Sequence, residues 1–330
     1  MDCGTCLARP AHAGRGIDST LQSVPNTEAM DSTLLIADPR WTWREWLKEN
    51  LGRRDLLCLD VSDADHGPPG RVFLMRKGKV RTWRLVGTVF ANRNPVDVLA
   101  GGLGLAREAS DGAVVLSFDV GGSPLLRQMA LALAESLGAA RILIPSGSGL
   151  ENEPWPVNPE WTELADALPE TMRTAQRRSR WLEVIEACDE HTLQLDEIGL
   201  YGVRLGSGER LTEPPFDRLG QHVEVCGPVL HVVSDGDPDD TLVAEALNLS
   251  GASRLNLVSP NSYDGLVCSF VRAGGEDFGI GVVRSIDFKE RKATFLSTAV
   301  APAPVTAVRI GAMRIDETGK ELGEARPWTV

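Results

Sequence analysis

AVVLSFDVGGSPLLRQMALALAESLGAARILI, residues 113–144, is the stretch that decides the fold. Ala113–Phe118 is apolar but for Ser117, which reads as a strand buried on both faces. Asp119-Val120-Gly121-Gly122 turns the chain. Pro124–Leu137 carries apolar residues at helical spacing, starts with Pro and is closed by Gly138. Arg141–Ile144 is another buried strand. Apolar strands alternating with helices imply a parallel sheet covered on both faces.

The same alternation runs upstream. Leu34–Ala37 reads as a strand and Trp41–Leu51 as a helix, with Trp43, Trp46 and Leu47 on one face. Leu56–Val61 reads as a second buried strand carrying Asp60 near its end. Arg71–Met75 and Val80–Val86 flank Lys77-Gly78-Lys79, a hairpin signature. Pro95–Arg107 reads as a helix. Residues 145–160 are a Gly/Ser/Pro-rich connection, and Glu160 to Ala187 reads as helical with a break near Pro169. From His191 onward short strand-like runs dominate, punctuated by Gly and Pro, as in an antiparallel barrel or sandwich. The expected organisation is a tail (1–30), an α/β domain (31–160), a helical linker (161–188) and a β-rich domain (189–330).

Composition sets the outer bounds. The 330 residues include 34 Lys and Arg against 46 Asp and Glu, a formal charge of −12. Hydrophobic residues make up 42%, enough to bury cores and to exclude disorder along the whole chain. The acidic balance argues against indiscriminate nucleic-acid binding, though not against a confined basic patch. No apolar run approaches the ~18 residues of a membrane helix. The N-terminus has no signal-peptide core, and Cys58, Cys188, Cys226 and Cys268 are scattered through apolar surroundings. A cytoplasmic protein without structural disulfides or membrane contact is expected. Cys3 and Cys6 form half of a zinc motif, but no second pair stands at finger spacing, so no metal site is expected. Met30, directly before the first strand, is a candidate start.

Two C-terminal stretches carry a resemblance: Arg177–Gly206 (RRSRWLEVIEACDEHTLQLDEIGLYGVRLG) and Gly279–Gly323 (GIGVVRSIDFKERKATFLSTAVAPAPVTAVRIGAMRIDETGKELG). They resemble the polynucleotide 5′-hydroxyl kinase family, which includes the pre-mRNA cleavage-factor, pre-rRNA-processing and archaeal RNA kinases. Thr298-Ala299 stands where the family has Thr-Pro. In the same order, LCLDVSDADHGPPGRV (57–72), RLVGTVFANRNPVDVL (84–99) and VVLSFDVGGSP (114–124) are similar to the family's kinase-domain motifs. The resemblance implies a P-loop-NTPase-like three-layer domain, an Arg-rich lid, and a C-terminal β domain. It also implies ATP-dependent phosphorylation of RNA 5′-hydroxyls in RNA processing.

One departure is decisive for activity. Such kinases need GxxxxGK[ST] after the first strand, because glycine N–H groups and the lysine hold the phosphates and the hydroxyl holds Mg²⁺. Here the place reads Ala37-Asp38-Pro39-Arg40-Trp41-Thr42-Trp43, with neither glycine nor lysine. Asp38, Arg40 and Thr42 are the residues at this degenerate nucleotide position. GRGIDST (14–20) lacks the lysine and precedes the strand.

The remaining candidates divide by chemistry. Asp60 matches the family's catalytic carboxylate, a general base toward a 5′-hydroxyl or a metal contact; otherwise it is a polar strand end. Asp119 lies where the family places a residue beside the phosphates, and it equally suits a turn before Gly-Gly. Val120 replaces the hydroxyl that follows it there. Asp63, Asp65 and His66 cluster beside Asp60, as a cation site or a solvated turn. Two windows hold basic residues and no acid: 71–84 (Arg71, Arg76, Lys77, Lys79, Arg81, Arg84) and 173–180 (Arg173, Arg177, Arg178, Arg180). The resemblance makes the second the phosphate-stabilising lid. The first is a candidate RNA grip at Arg71, Lys77, Lys79, Arg81 and Arg84, with Trp83 as a base-stacking or core residue. His191, His222 and His231 read as ordinary strand residues, and Asp235-Asp237-Asp239-Asp240 as a solvated loop.

The expectation is therefore a kinase-family protein with a degenerate nucleotide site, acting by RNA or protein binding. No bound cofactor is expected, and Mg-ATP is needed only if kinase activity survives. The alternatives are an active kinase with an unusual phosphate cradle, and a scaffold that binds neither ligand and uses its β domain for protein contacts.

Overall fold

The computed structural model describes residues 32–299 and 304–326. The Cys3/Cys6 pair, Met30 and the GRGIDST stretch lie outside the described residues. The first half contains β1 (Thr33–Ala37), β2 (Trp41–Thr42), α1 (Arg44–Asn50), β3 (Leu56–Cys58), β4 (Arg71–Arg76) and β5 (Lys79–Leu85). It continues with α2 (Pro95–Ala106), β6 (Val114–Asp119), α3 (Pro124–Leu137), β7 (Arg141–Pro145), β8 (Glu160–Thr162) and β9 (Ala165–Asp166). Seven of these strands form one sheet in the order β5-β4-β3-β6-β1-β7-β8. Strands β3, β6, β1, β7 and β8 are parallel, and the β4–β5 hairpin adds antiparallel to β3.

Alternation within β1 explains the three layers. Leu34 and Ile36 face a core shared with α2 and α3. Leu35 and Ala37 face the other way, against Trp43, Trp46 and Leu47. Helix α3 begins at Ser123, whose hydroxyl accepts from the Leu126 N–H, and ends at Gly138 in the left-handed region. The chain thus leaves β1 toward one face and leaves β6 toward the other. A crevice outside the carboxyl ends of two such strands is where open α/β sheets bind ligands.

The expected helix over 41–51 is shorter than its apolar spacing indicated, because Trp41 and Thr42 pair with β9 as a two-residue ribbon. The expected helix from Glu160 is likewise corrected. Residues 160–162 extend the main sheet and 165–166 complete the ribbon, so α4 (Glu170–Glu186) starts only after Pro169. Proline suits that boundary, since it cannot donate inside a helix.

The second half holds β10 (Asp189–Gln194), β11 (Gly199–Tyr201), β12 (Glu209–Arg210), β13 (His222–Cys226), β14 (Val229–Val233), α5 (Asp240–Ser250) and β15 (Arg254–Val258). Then follow β16 (Leu266–Val271), β17 (Asp277–Asp287), β18 (Lys292–Ser297), β19 (Ala307–Ile315) and β20 (Glu321–Glu324). A mostly antiparallel sheet runs β10-β18-β17-β16-β19-β11, with β20 on β19. The expectation of purely antiparallel β structure is corrected in two places. Strand β11 lies parallel to β19, and α5 crosses over between the parallel pair β14–β15 in a separate four-stranded sheet. The acidic run before α5 is part of that unit: Asp239 caps the helix, accepting from the Thr241 and Leu242 N–H groups.

The halves meet backbone to backbone. The Gly87 carbonyl accepts from Ala312 and Met313 N–H, both at 2.9 Å. A methyl group on Gly87 would lie 2.1 Å from the Gly311 Cα, so neither position has room for a side chain. Around this seam, Leu85, Trp181, Val267, Ile280, Met313 and Ile315 form a shared apolar core.

Candidate functional site: a closed cradle beside an acidic cleft

The crevice at the ends of β1 and β6 is shaped by the Asp38–Trp43 segment. Asp38 is buried, and its carboxylate accepts from the Arg40 N–H, Nε and Nη2, each at 3.0 Å. Arg40 Nη2 also donates to the Ser148 carbonyl at 3.1 Å, and the guanidinium lies 4.2 Å from the Trp41 ring centroid. Three backbone donors of this segment are already engaged. Ala37 N–H bonds Ser117 Oγ at 2.9 Å, Arg40 N–H bonds Asp38, and Trp41 N–H bonds the Asp38 carbonyl at 3.2 Å. Pro39 has no N–H to offer. It also packs on the opposite loop so closely that a methyl group on Gly121 would fall 2.8 Å from Pro39 Cδ. These residues do not fit a triphosphate, which needs several free N–H groups and a cation.

Beside this closed turn lies a cleft of about 530 Å³, walled by α1, α4 and the strand ends. Asp60, Asp119 and Arg173, three of the residues expected at a site, line it together. Asp60 Oδ1 accepts from the Ser62 N–H at 2.9 Å and the Ser62 hydroxyl at 2.7 Å. Burial, with Asp63 nearby, pushes the Asp60 carboxyl up to about 6. Burial also raises Asp119, opposed by a 2.8 Å bond from the Gly121 N–H and reinforced by Asp38. Asp63 holds His66 through Nδ1 at 3.2 Å, which raises the imidazole above its ordinary value. Because a carboxylate only accepts, the proton on that bond sits on Nδ1. Asp65 is tied to Arg44 and to Gln176, at 3.0 and 2.7 Å. The cluster Asp63/Asp65/His66 is thus an internally paired wall of the cleft.

The two basic windows are treated differently. In the lid window only Arg173 reaches the cleft, held by Glu170 at 2.7 Å. Arg177 is buried between Glu321 at 2.9 Å and Glu170 at 3.2 Å. Arg178 donates to the Thr318 carbonyl and hydroxyl, and Arg180 to the Ala64 carbonyl and Glu183. These three clamp α4 to its neighbours. In the hairpin window, Arg71 is buried beneath Gly67, donates to the His66 carbonyl at 2.8 Å, and is pushed down to about 10 by burial. It packs near Phe73 and Trp83, so it is a core residue, and Trp83 joins two apolar clusters. Arg84 packs its stem near Gly101. Lys77, Lys79 and Arg81 remain exposed.

Sequence reasoning missed a buried polar cluster in the second half. His222 Nδ1 takes a bond from Arg291 at 3.2 Å, and its Nε2 faces Glu224, also at 3.2 Å. His231 bridges Asn256 and Tyr263, each at 3.1 Å, and burial lowers it to about 4. Apart from Glu224, two residues from His222, the partners of these side chains lie 25 or more residues away in sequence.

No family model matches the chain. The polyribonucleotide 5′-hydroxyl-kinase of Pyrococcus abyssi is 25% identical over 171 residues, covering 50% of this chain and 47% of that protein. That of Pyrococcus furiosus is 23% identical over 187 residues, covering 55% and 51%. Two structures of Clp1p with Pcf11p, one of them a point mutant studied for ATP loss, align at a TM-score of 0.52. Their identities are 10% and 11%, and each alignment covers 88% of this chain and 76% of the other. Over about half its length the chain is similar to these polyribonucleotide 5′-hydroxyl kinases. It spans about half the length of the curated kinases it matches.

This relative of the RNA kinases shares the Clp1p fold, a mixed α/β sheet domain joined to a separate β sheet. Thr298, in the segment where the family has Thr-Pro, keeps a structural task. Its hydroxyl accepts from the Ile280 N–H at 3.1 Å and lies 3.2 Å from the Ile280 carbonyl, fastening β17 to the end of β18. Among the described residues, no helix is long and apolar enough to cross a membrane.

Proposed function

We propose that this protein works in RNA processing as a kinase-like RNA-binding component that does not use ATP at the family's phosphate cradle. The observation that carries the reading is the cradle itself. The Asp38–Arg40 pair occupies its floor, the N–H groups of Ala37, Arg40 and Trp41 are bonded internally, and Pro39 rests on Gly121. A triphosphate would have to displace all three at once and face the buried Asp38 carboxylate. A protein partner through the β-rich second half belongs to the same reading. The Clp1p structures contain Pcf11p as a partner.

Thermal unfolding with Mg-ATP tests this directly. Binding at 100 times Kd would stabilise the protein by about 2.7 kcal/mol, so an unchanged Tm at millimolar Mg-ATP is the expected result. A second reading, an active kinase with another phosphate cradle, draws on Asp60. A carboxyl near 6 in a cleft with Arg173 suits a general base toward a hydroxyl. Phosphorylation of a 5′-hydroxyl oligoribonucleotide that disappears in Asp60→Ala would replace the first reading with the second.

A further inference from the structure

The β4–β5 hairpin carries the least neutralised positive charge of the two basic windows. Lys77, Lys79 and Arg81 are exposed, and none of the three makes an ion pair among the described residues. Two of their neighbours are committed elsewhere: Arg71 to the core and Arg76 to Asp55 at 2.8 Å. The turn is built for rigidity. Lys77 and Gly78 both have positive φ, 52° and 72°, the pattern of a two-residue hairpin loop matched to strand twist.

Beside the cations lies an open hollow of about 420 Å³, lined by Leu74, Arg76, Lys77, Arg81, Thr82 and Glu108. The Thr82 hydroxyl oxygen is shut off from solvent and has no hydrogen-bond partner among the described residues, so it presents no donor to the hollow. Strand β5 is the edge of the main sheet, where charges also keep other strands from pairing. That role accounts for lysines on the edge. It does not account for an open hollow set between unpaired cations on a rigid turn.

We infer that this hairpin face is a phosphate subsite for an RNA backbone, distinct from the cleft, with Lys77 and Arg81 at the hollow and Lys79 beside it. It rests on the RNA-binding reading above and adds the surface that grips the strand. Guanidinium and ammonium groups on a preformed turn hold phosphates without reading bases, so the grip is sequence-independent.

The experiment is fluorescence anisotropy of a 3′-labelled, 5′-hydroxyl single-stranded oligoribonucleotide between 50 and 200 mM salt. The wild type is compared with Lys77→Gln/Lys79→Gln/Arg81→Gln, and with Lys289→Gln/Lys292→Gln/Lys320→Gln as an exposed-lysine control. Losing three phosphate contacts should lower the slope of log K against log salt by about 2, with unchanged Tm. The control triple should keep the wild-type slope. A hairpin variant that binds RNA like the wild type overturns the subsite and leaves RNA binding standing. A wild type that binds no RNA overturns both. A hairpin variant that loses polyglutamate as strongly as RNA assigns the face to an acidic protein and overturns the RNA assignment.

Discussion

The lid helix and the β4–β5 hairpin look alike in sequence, each a run of basic residues without an acid. In the folded chain they are opposites. Helix α4 spends its arginines on structure: Arg177 between two glutamates, Arg178 on the β19–β20 turn, Arg180 on the loop after β3. The hairpin buries Arg71 and leaves its tip unpaired. Charge density along a sequence therefore does not locate an anion site. What locates one is the charge left over after the fold has taken its share.

Arg177→Met offers the strongest way to break this contrast. It strands Glu321, which is largely buried, and should destabilise the protein by about 3 kcal/mol in urea unfolding. A loss near zero would mean that α4 is a free lid after all. Asp60→Asn comes next and tests the cleft beneath that helix. Asp60 is raised to about 6 in the fold, above its unfolded value, so the native state binds the extra proton between roughly pH 4 and 6. Stability from this group is greatest below that window and falls as pH rises through it. The variant should gain about 1–2 kcal/mol at pH 7.5 and nothing at pH 4. Thermal melts at the two pH values give the answer. Arg173→Gln should cost less than about 1 kcal/mol, because its pair with Glu170 is part-exposed and spans one helical turn. The hairpin triple should shift stability least, by at most about 0.5 kcal/mol, since its members touch no acid.

Much of the fold was legible in the residues. Ala113–Ile144 announced strand, helix and strand because buried parallel strands are apolar almost without interruption, and Ser123, Pro124 and Gly138 mark the helix ends. Lys77-Gly78 announced its turn because few residue pairs accept two positive φ values. The small ribbon of β2 and β9 was not legible, since two-residue strands have no period to detect. Helix α5 was hidden by the acidic loop before it, where Asp239 reads as a solvated turn unless the cap is recognised. In the site, the loss of glycine and lysine after β1 was plain from the letters alone. The Asp38–Arg40 pair was not, because composition cannot say whether two opposite charges face each other or a ligand. Arg71 was misleading for the same reason: its burial comes from a loop of Gly67 to Gly70 folded over it.

The Gly87–Gly311 seam has a mechanical consequence. Two backbones in van der Waals contact, stitched by paired hydrogen bonds to one carbonyl, form a joint that resists shear. Rocking the two halves against each other would break those bonds. The cleft must therefore admit its ligand by local movement, in the first turn of α4 or the loop after β3. A Gly87→Ala chain would test the seam itself, forcing apart two surfaces that evolved without clearance.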